Sequence, residues 1–216
     1  VLFRSRTWPA GWARSWGSAM ADPEDVMFSP SVKAEQKRLG SRVLFEDREW
    51  KTEITDDLRQ FLSVVDTCFL ATADAEGRPY VQHRGGPPGF LRVLDETTIA
   101  FADFLGNRQF ITTGNLAENA KAQLFLIDYA HRQRIKIWGT ARVDEDRALI
   151  TRLMPEGYKA RAQQAIVFTV AAWDVNCPQH IPQRFEAADV ERSLAEKDQK
   201  IATLEAELAQ LRKGRG

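Results

Sequence analysis

The sequence predicts a mainly β, α+β protein: a small antiparallel barrel with short flanking helices and a long amphipathic helix at its C-terminal end. Three observations predict it. Between Thr67 and Val175 lie six or seven short runs rich in β-branched and aromatic residues, bounded by turn signals. Several of these runs are joined by turns too tight for parallel βαβ crossovers. Beyond Ala187 the apolar residues recur at steps of three and four, which is the heptad pattern of a pairing helix.

Each element follows from its residues. The segment SVKAEQKRLG at 31–40 predicts a helix capped by Ser31 and stopped by Gly40. TDDLRQFLSVV at 55–65 predicts a second, with Thr55 as cap, Asp56 and Asp57 in the first turn, and Leu58, Phe61, Leu62 and Val65 on one face. TCFLATA, the turn DAEGRP and YVQHR predict a hairpin over 67–84. Strands are expected at 90–94 (FLRVL) and 99–103 (IAFAD), then a helix over 107–118. AQLFLID at 122–128 and RIKIWGTARV at 134–143 read as strands, with Gly139 placed for a bulge or bend. A helix at 145–154 and the most apolar strand, AIVFTVAAWDV at 165–175, complete the domain.

The expected organisation has four parts. Residues 1–19 form a disordered leader or upstream segment, 20–53 a helical extension, 54–186 the barrel and 187–216 the C-terminal helix. Residues 1–19 carry Arg4, Arg6 and Arg14, no acid, and Trp8, Trp12 and Trp16 at steps of four. This resembles an organelle transit peptide, but upstream sequence ahead of a natural start at Met20 is the favoured reading. In the C-terminal helix the seam is Ala187, Val190, Leu194, Lys197, Ile201, Leu204, Leu208 and Leu211, with one lysine interruption. A parallel pair would set Lys200 against Glu205 and Glu207 against Arg212. An antiparallel pair brings Lys200 towards Glu207, so these charges leave the orientation open, and a lone helix lying on the barrel is the simpler alternative.

Composition narrows the function. The 216 residues hold 30 Lys plus Arg and 30 Asp plus Glu, a net charge of zero. This balance argues against a protein built as a whole to hold nucleic acid or an acidic membrane surface. No apolar run approaches the roughly 20 residues of a membrane span. Two cysteines, Cys68 and Cys177, make no disulfide framework or metal knuckle, which points to a reducing, cytoplasmic setting. His83, His131 and His180 fall in no zinc-type pattern, so no metal is expected. No nucleophilic triad, dinucleotide fingerprint or phosphate-binding P-loop is legible.

What remains is a set of cationic and amide side chains at strand ends. Gln82-His83-Arg84-Gly85-Gly86-Pro87-Pro88-Gly89-Phe90 closes one strand and opens the next. Asp103 ends a strand, and Gly106-Asn107-Arg108-Gln109 opens the expected helix. An arginine at a helix start beside free backbone N–H groups suits a phosphate. A solvated surface charge is the plainer alternative.

These segments carry a resemblance. FADFLGNRQF at 101–110, preceded by FLRVLDETT, resembles the flavin-binding stretch of the pyridoxamine 5′-phosphate oxidases and their split-barrel relatives, and RGGPPGF resembles the less characterised of these. The likeness runs from about Ile54 to Arg184. It implies an FMN-binding split β-barrel, a homodimer with flavin sites at the subunit interface, and oxidoreductase activity on an unidentified small molecule. The alternatives within it are a non-catalytic flavin-binding or sensing protein, or the same barrel using F420 or haem.

By the resemblance, Arg108 and Gln109 fall on the basic pair that holds the FMN phosphate. Arg92 falls on the lysine ending the basic strand, and Arg84 stands in for an arginine whose place Pro87 occupies. Gln82, His83 and Asn107 accompany them. Ala102 and Asp103 fall on a Tyr-Thr pair near the flavin ring, Arg134 on a ring-contacting glutamine and Trp173 on a tryptophan packing near the cofactor. Arg184 falls on the terminal arginine, one residue out of step. The final Arg-x-His of true pyridoxamine-phosphate oxidases is missing: His180-Ile181-Pro182-Gln183-Arg184 lacks the first arginine, which argues against pyridoxamine phosphate as substrate. Cys177 and His180 are expected beside the flavin, in a chemical role or as a turn built on Pro178 and Pro182.

Overall fold

The structure, a computed structural model, describes residues 22–213. Residues 1–19, expected to be a leader or upstream segment, lie outside them. The described chain divides into two compact units, one of residues 22–127 and 134–176, the other of 128–133 and 177–213.

The first unit opens with two short helices. α1 (Pro23–Met27) is capped by Asp22, and α2 (Pro30–Arg38) by Ser29, whose side chain accepts from the Val32 N–H. The cap is thus Ser29 and not the expected Ser31, because Pro30 is suited to the first helical position, where its missing N–H costs nothing. Phe28, Phe45 and Trp50 cluster beyond these helices, with the Phe28 ring 5.4 Å from Phe45 and 5.5 Å from Trp50. α3 (Asp56–Val64) starts at Thr55 as expected, and its Leu58, Phe61 and Leu62 are buried.

Seven strands follow: β1 (Thr67–Ala73), β2 (Pro79–Gly85), β3 (Arg92–Val93), β4 (Thr98–Phe104), β5 (Lys121–Asp128), β6 (Gln133–Asp144) and β7 (Ala162–Val175). Their order is β2-β1-β5-β6-β7-β4-β3, and the registered pairs are antiparallel. The strand expected at 90–94 contracts to Arg92–Val93 because Phe90 and Leu91 turn into the core. α4 (Ile111–Glu118) and α5 (Arg147–Leu153) fill the connections.

The sheet is rolled. One apolar cluster draws Cys68 and Leu70 from β1, Phe101 from β4, Leu124 from β5, Ile137 from β6 and Phe168 from β7. β1 and β4 have three strands between them in the order yet share this core, which a flat sheet does not allow. β4 is buried on both faces: Ile99 and Phe101 point inwards, while Ala100 and Ala102 pack in a second cluster with Ile150 and Leu153 of α5. Small residues on that second face admit the helix.

The curvature has a local cause at Gly139. The β6–β7 register shifts between Trp138 and Gly139, so the expected bulge is present. A Cβ at Gly139 would stand 1.9 Å from the Thr169 carbonyl oxygen, so only glycine admits that approach.

The second unit contains α6 (Ala187–Lys213), a helix of 27 residues with none buried. Among the described residues, no helix is long and apolar enough to cross a membrane.

Candidate functional site

A cleft in the first unit gathers Gln82 and Arg84 from β2, Asp103 and Phe104 from β4, and the loop Gly106–Phe110 that leads into α4. Period-two alternation explains β2: Tyr80, Gln82 and Arg84 share the face that lines the cleft. Asp103 lies on the face of β4 that carries Ile99 and Phe101, one step beyond the apolar core.

The cleft is wired by polar contacts. The Arg84 guanidinium donates through Nη1 to Asp103 Oδ1, joining the edge strand β2 to β4 and fixing the roll of the sheet. Asp103 Oδ2 accepts from Gln164 Nε2 at 2.8 Å, and the same amide lies 3.0 Å from Thr113 Oγ1. Thr112 Oγ1 donates to Gln82 Oε1 at 2.8 Å. Asp103 and Gln164 are buried. The Arg84 Nε is buried with no partner, a donor left unmet inside the cleft wall.

The loop differs from the expected helix start. α4 begins at Ile111, four residues later than expected, because Arg108 and Phe110 take the left-handed region with φ of 61° and 55°. These angles are costly for residues with a Cβ and recur at functional sites. Asn107 stabilises the loop: its Oδ1 accepts from the Gln109 N–H and its Nδ2 donates to Gln109 Oε1, both at 3.1 Å. Arg108 is exposed and forms no ion pair among the described residues. Asp103 offsets Arg84, so Arg108 carries the cleft's uncompensated positive charge.

Six of the residues expected at the site therefore meet in one cleft: Gln82, Arg84, Asp103, Asn107, Arg108 and Gln109. His83 points to the other face of β2, with Nε2 2.5 Å from Thr67 Oγ1 and its ring against Phe69. Arg92 is exposed on β3 opposite Ala100. Arg134 stands near the start of β6 with its own Nε buried and unpartnered. Trp173 is buried in the core, donating Nε1–H to the Glu53 carbonyl at 2.7 Å under the Lys51 ammonium. Arg184 belongs to the second unit, where its guanidinium lies 4.3 Å from the centre of the Tyr129 ring. Cys177 and His180 are exposed residues of that unit.

Sequence reasoning missed Tyr80, Phe104, Thr112, Thr113 and Gln163, which also line the cleft. The alternation of β2 could have found Tyr80 and set His83 aside. The threonines and Gln163 needed the true start of α4 and the β4–β7 register, in which Asp103 faces Gln164.

Cys68 lies across the strand pair from Arg84. Burial pushes it up to about 12 against the opposing pull of the Arg84 charge. It is a core residue and no nucleophile at neutral pH. Among the described residues no group of three or more His, Cys, Asp or Glu is placed to hold a metal ion.

A rolled antiparallel sheet with a cationic cleft at strand ends defines a small split-barrel protein. The family model of pyridoxamine 5′-phosphate oxidase matches residues 54–177, more than half of the sequence, and the chain belongs to that family. No curated protein matches it. Among solved structures it is similar to HupZ of Group A Streptococcus, at 18% identity over 61% of this chain and 99% of that one, with a TM-score of 0.47. A protein related to general stress protein 26, of the pyridoxinephosphate oxidase family, from Clostridium acetobutylicum matches at 15% identity over 62% and 94%, TM-score 0.44. An FMN-binding protein from Syntrophomonas wolfei matches at 15% identity over 68% and 95%, TM-score 0.43.

Proposed function

We propose that the chain is an FMN-dependent oxidoreductase acting on a small molecule. Family membership and the cleft of Arg84 and Arg108 support this reading, and the cleft is the observation that carries it. The residues present fit a phosphate monoester, which carries about −1.5 to −2 charge near neutral pH. Arg108 and Gln109 would hold the phosphate, with Arg84 supplying its unmet Nε–H and Asp103 keeping that guanidinium in place. Phe104, Phe110 and Tyr80 offer apolar and aromatic surface for a flat ring. Bound FMN would supply hydride or electron transfer, so no nucleophilic triad is required of the protein.

The same reading includes a homodimer with the sites at its interface. Leu105, Phe110 and Ile111 in and after the cleft loop are exposed, at 46%, 49% and 38%, and a second subunit would cover them. The enzyme reading is tested by reducing the FMN-loaded protein anaerobically with candidate donors and following reoxidation by acceptors. Multiple turnovers with one donor–acceptor pair support it. Bound flavin that no donor reduces, while photoreduction still bleaches it, would leave a flavin binder and overturn the enzyme.

A further inference from the structure

A helix in water is held mainly by packing of its apolar face, and α6 buries none of its residues. Its seam is open along its length, from 43% exposure at Val190 to 52% at Ile201 and 65% at Leu211. We propose that α6 pairs with α6 of a second copy of this chain as a parallel, in-register, two-stranded coiled coil.

The heptad assigns the seam without gaps. Ala187, Leu194, Ile201 and Leu208 take position a, and Val190, Lys197, Leu204 and Leu211 take position d. Two charge pairs alone leave the orientation open, but all the flanking pairs taken together with the apolar layers decide it. In a parallel pair, position g of one helix meets the following e of the other. Lys200 meets the partner's Glu205 and Glu207 meets the partner's Arg212, each twice by symmetry, and Ser193 meets the partner's Asp198 without repulsion. Glu186, the g position that caps the helix, meets the partner's Glu191, the one like-charged contact of this register, at the fraying end.

Antiparallel pairing with full overlap reverses this. It layers Leu194 on Leu204 and Val190 on Leu208, but g then meets g and e meets e. Lys200 faces Lys200, Asp198 faces Asp198 and Glu191 faces Glu205. Sliding by one heptad brings Lys200 to Glu207 and Glu191 to Arg212. It also sets Asp198 against Glu205 and leaves the Ala187 and Val190 layers without partners. Only the parallel register keeps all seven apolar layers and the favourable charge pairs together.

The parallel register carries one cost, the facing pair of Lys197 side chains. Lysine at the margin of such a seam extends its ammonium to water along its own stem. A single polar layer also fixes register at some expense of stability. Ile201 at a beside Leu204 at d favours two strands over higher order. At 1.5 Å per residue the helix is roughly 40 Å long. Parallel pairing brings both chains into the coiled coil from the same end, so one dimer can be joined through barrel and tail together.

The test uses the full chain with Cys177→Ser, leaving only the buried Cys68, and with Leu211→Cys or Leu194→Cys added. Under mild oxidation each single variant should form a covalent dimer on its own. At low salt, Lys200→Glu should slow cross-linking of the Leu211→Cys chain roughly several-fold, since it turns two attractive pairs repulsive. Glu205→Lys in the same chain should restore the rate. Cross-linking only when Leu194→Cys and Leu211→Cys chains are mixed would overturn the proposal in favour of the staggered antiparallel pair. Absence of any dimer, or a charge reversal that fails to rescue, would overturn it as well.

Discussion

At the scale of single residues, the site depends on how two arginines are held. Arg84 is fixed by Asp103, which Gln164 fixes in turn, whereas Arg108 stands on a loop in the left-handed region. Arg108 is therefore the residue whose loss should cost binding with least damage to the fold. Arg108→Ala should weaken FMN binding by about 1.5–3 kcal/mol, the usual worth of a hydrogen bond to a charged group. That is roughly ten- to a hundred-fold in affinity, read by flavin fluorescence titration; unchanged affinity in a folded variant would reject the phosphate assignment. A second residue carries a pH signature. The Arg42 guanidinium, by its hydrogen bond, with further help from Lys33, holds Glu24 near pH 2 instead of 4.5, against the opposing effect of burial. A carboxyl depressed on folding stabilises the folded state above its unfolded value and loses that contribution as pH falls. Wild type should lose thermal stability relative to Glu24→Gln as pH falls from about 4.5 to about 2. Parallel curves for the two proteins across that window would contradict the role given to this latch. The arginines and amides of the cleft were legible because the motif Gly-Asn-Arg-Gln is local in sequence. Gln164 and Thr113 were not, since strand register and the helix start bring them to Asp103.

At the scale of elements, the strands were legible wherever period-two alternation or a continuous apolar run dominated, as in β1, β6 and β7. The bulge at Gly139 was legible for the same reason, because a glycine inside a strong strand pattern has few other uses. Its necessity is steric. Gly139→Ala would drive a Cβ to within 1.9 Å of the Thr169 oxygen unless the strands part. The expected loss of stability is about 3 kcal/mol, at the upper end of ordinary overpacking, measured as a lower denaturation midpoint. A midpoint within experimental error of wild type would show that the β6–β7 pair tolerates separation there. Helix boundaries were less legible. The sequence predicts the start of α4 four residues early, because Asn107 and Gln109 read as part of a helix opening. Their side chains instead stabilise a loop that left-handed Arg108 and Phe110 keep out of the helix. The sequence predicts the cap of α2 two residues late, because Ser29 and Ser31 are equivalent cap residues, and Pro30 between them decides.

At the scale of the molecule, the barrel and the C-terminal helix have separate sources of stability. The barrel has a core drawn from five strands and α3, whereas α6 has only a seam that a second copy would cover. A chain ending at Phe185 should accordingly fold and bind FMN with unchanged affinity, at the same or lower oligomeric order by sedimentation. Loss of flavin on truncation would mean that the tail completes the site. The rolled sheet was legible from hairpin turns alone, but its closure was not, because the Arg84–Asp103 pair links β2 and β4 across the four strands between them in the order. That pair and Arg108 make the central claim, that the cleft is a seat for the phosphate of FMN. The most direct test is equilibrium titration of the purified full chain with FMN and, separately, with riboflavin, which has the same ring and no phosphate. The account predicts saturable FMN binding with altered absorption bands, and affinity for riboflavin weaker by roughly ten- to a hundred-fold or more, as expected for lost charge-assisted hydrogen bonds. Equal affinity for the two flavins, or binding of neither, would contradict it.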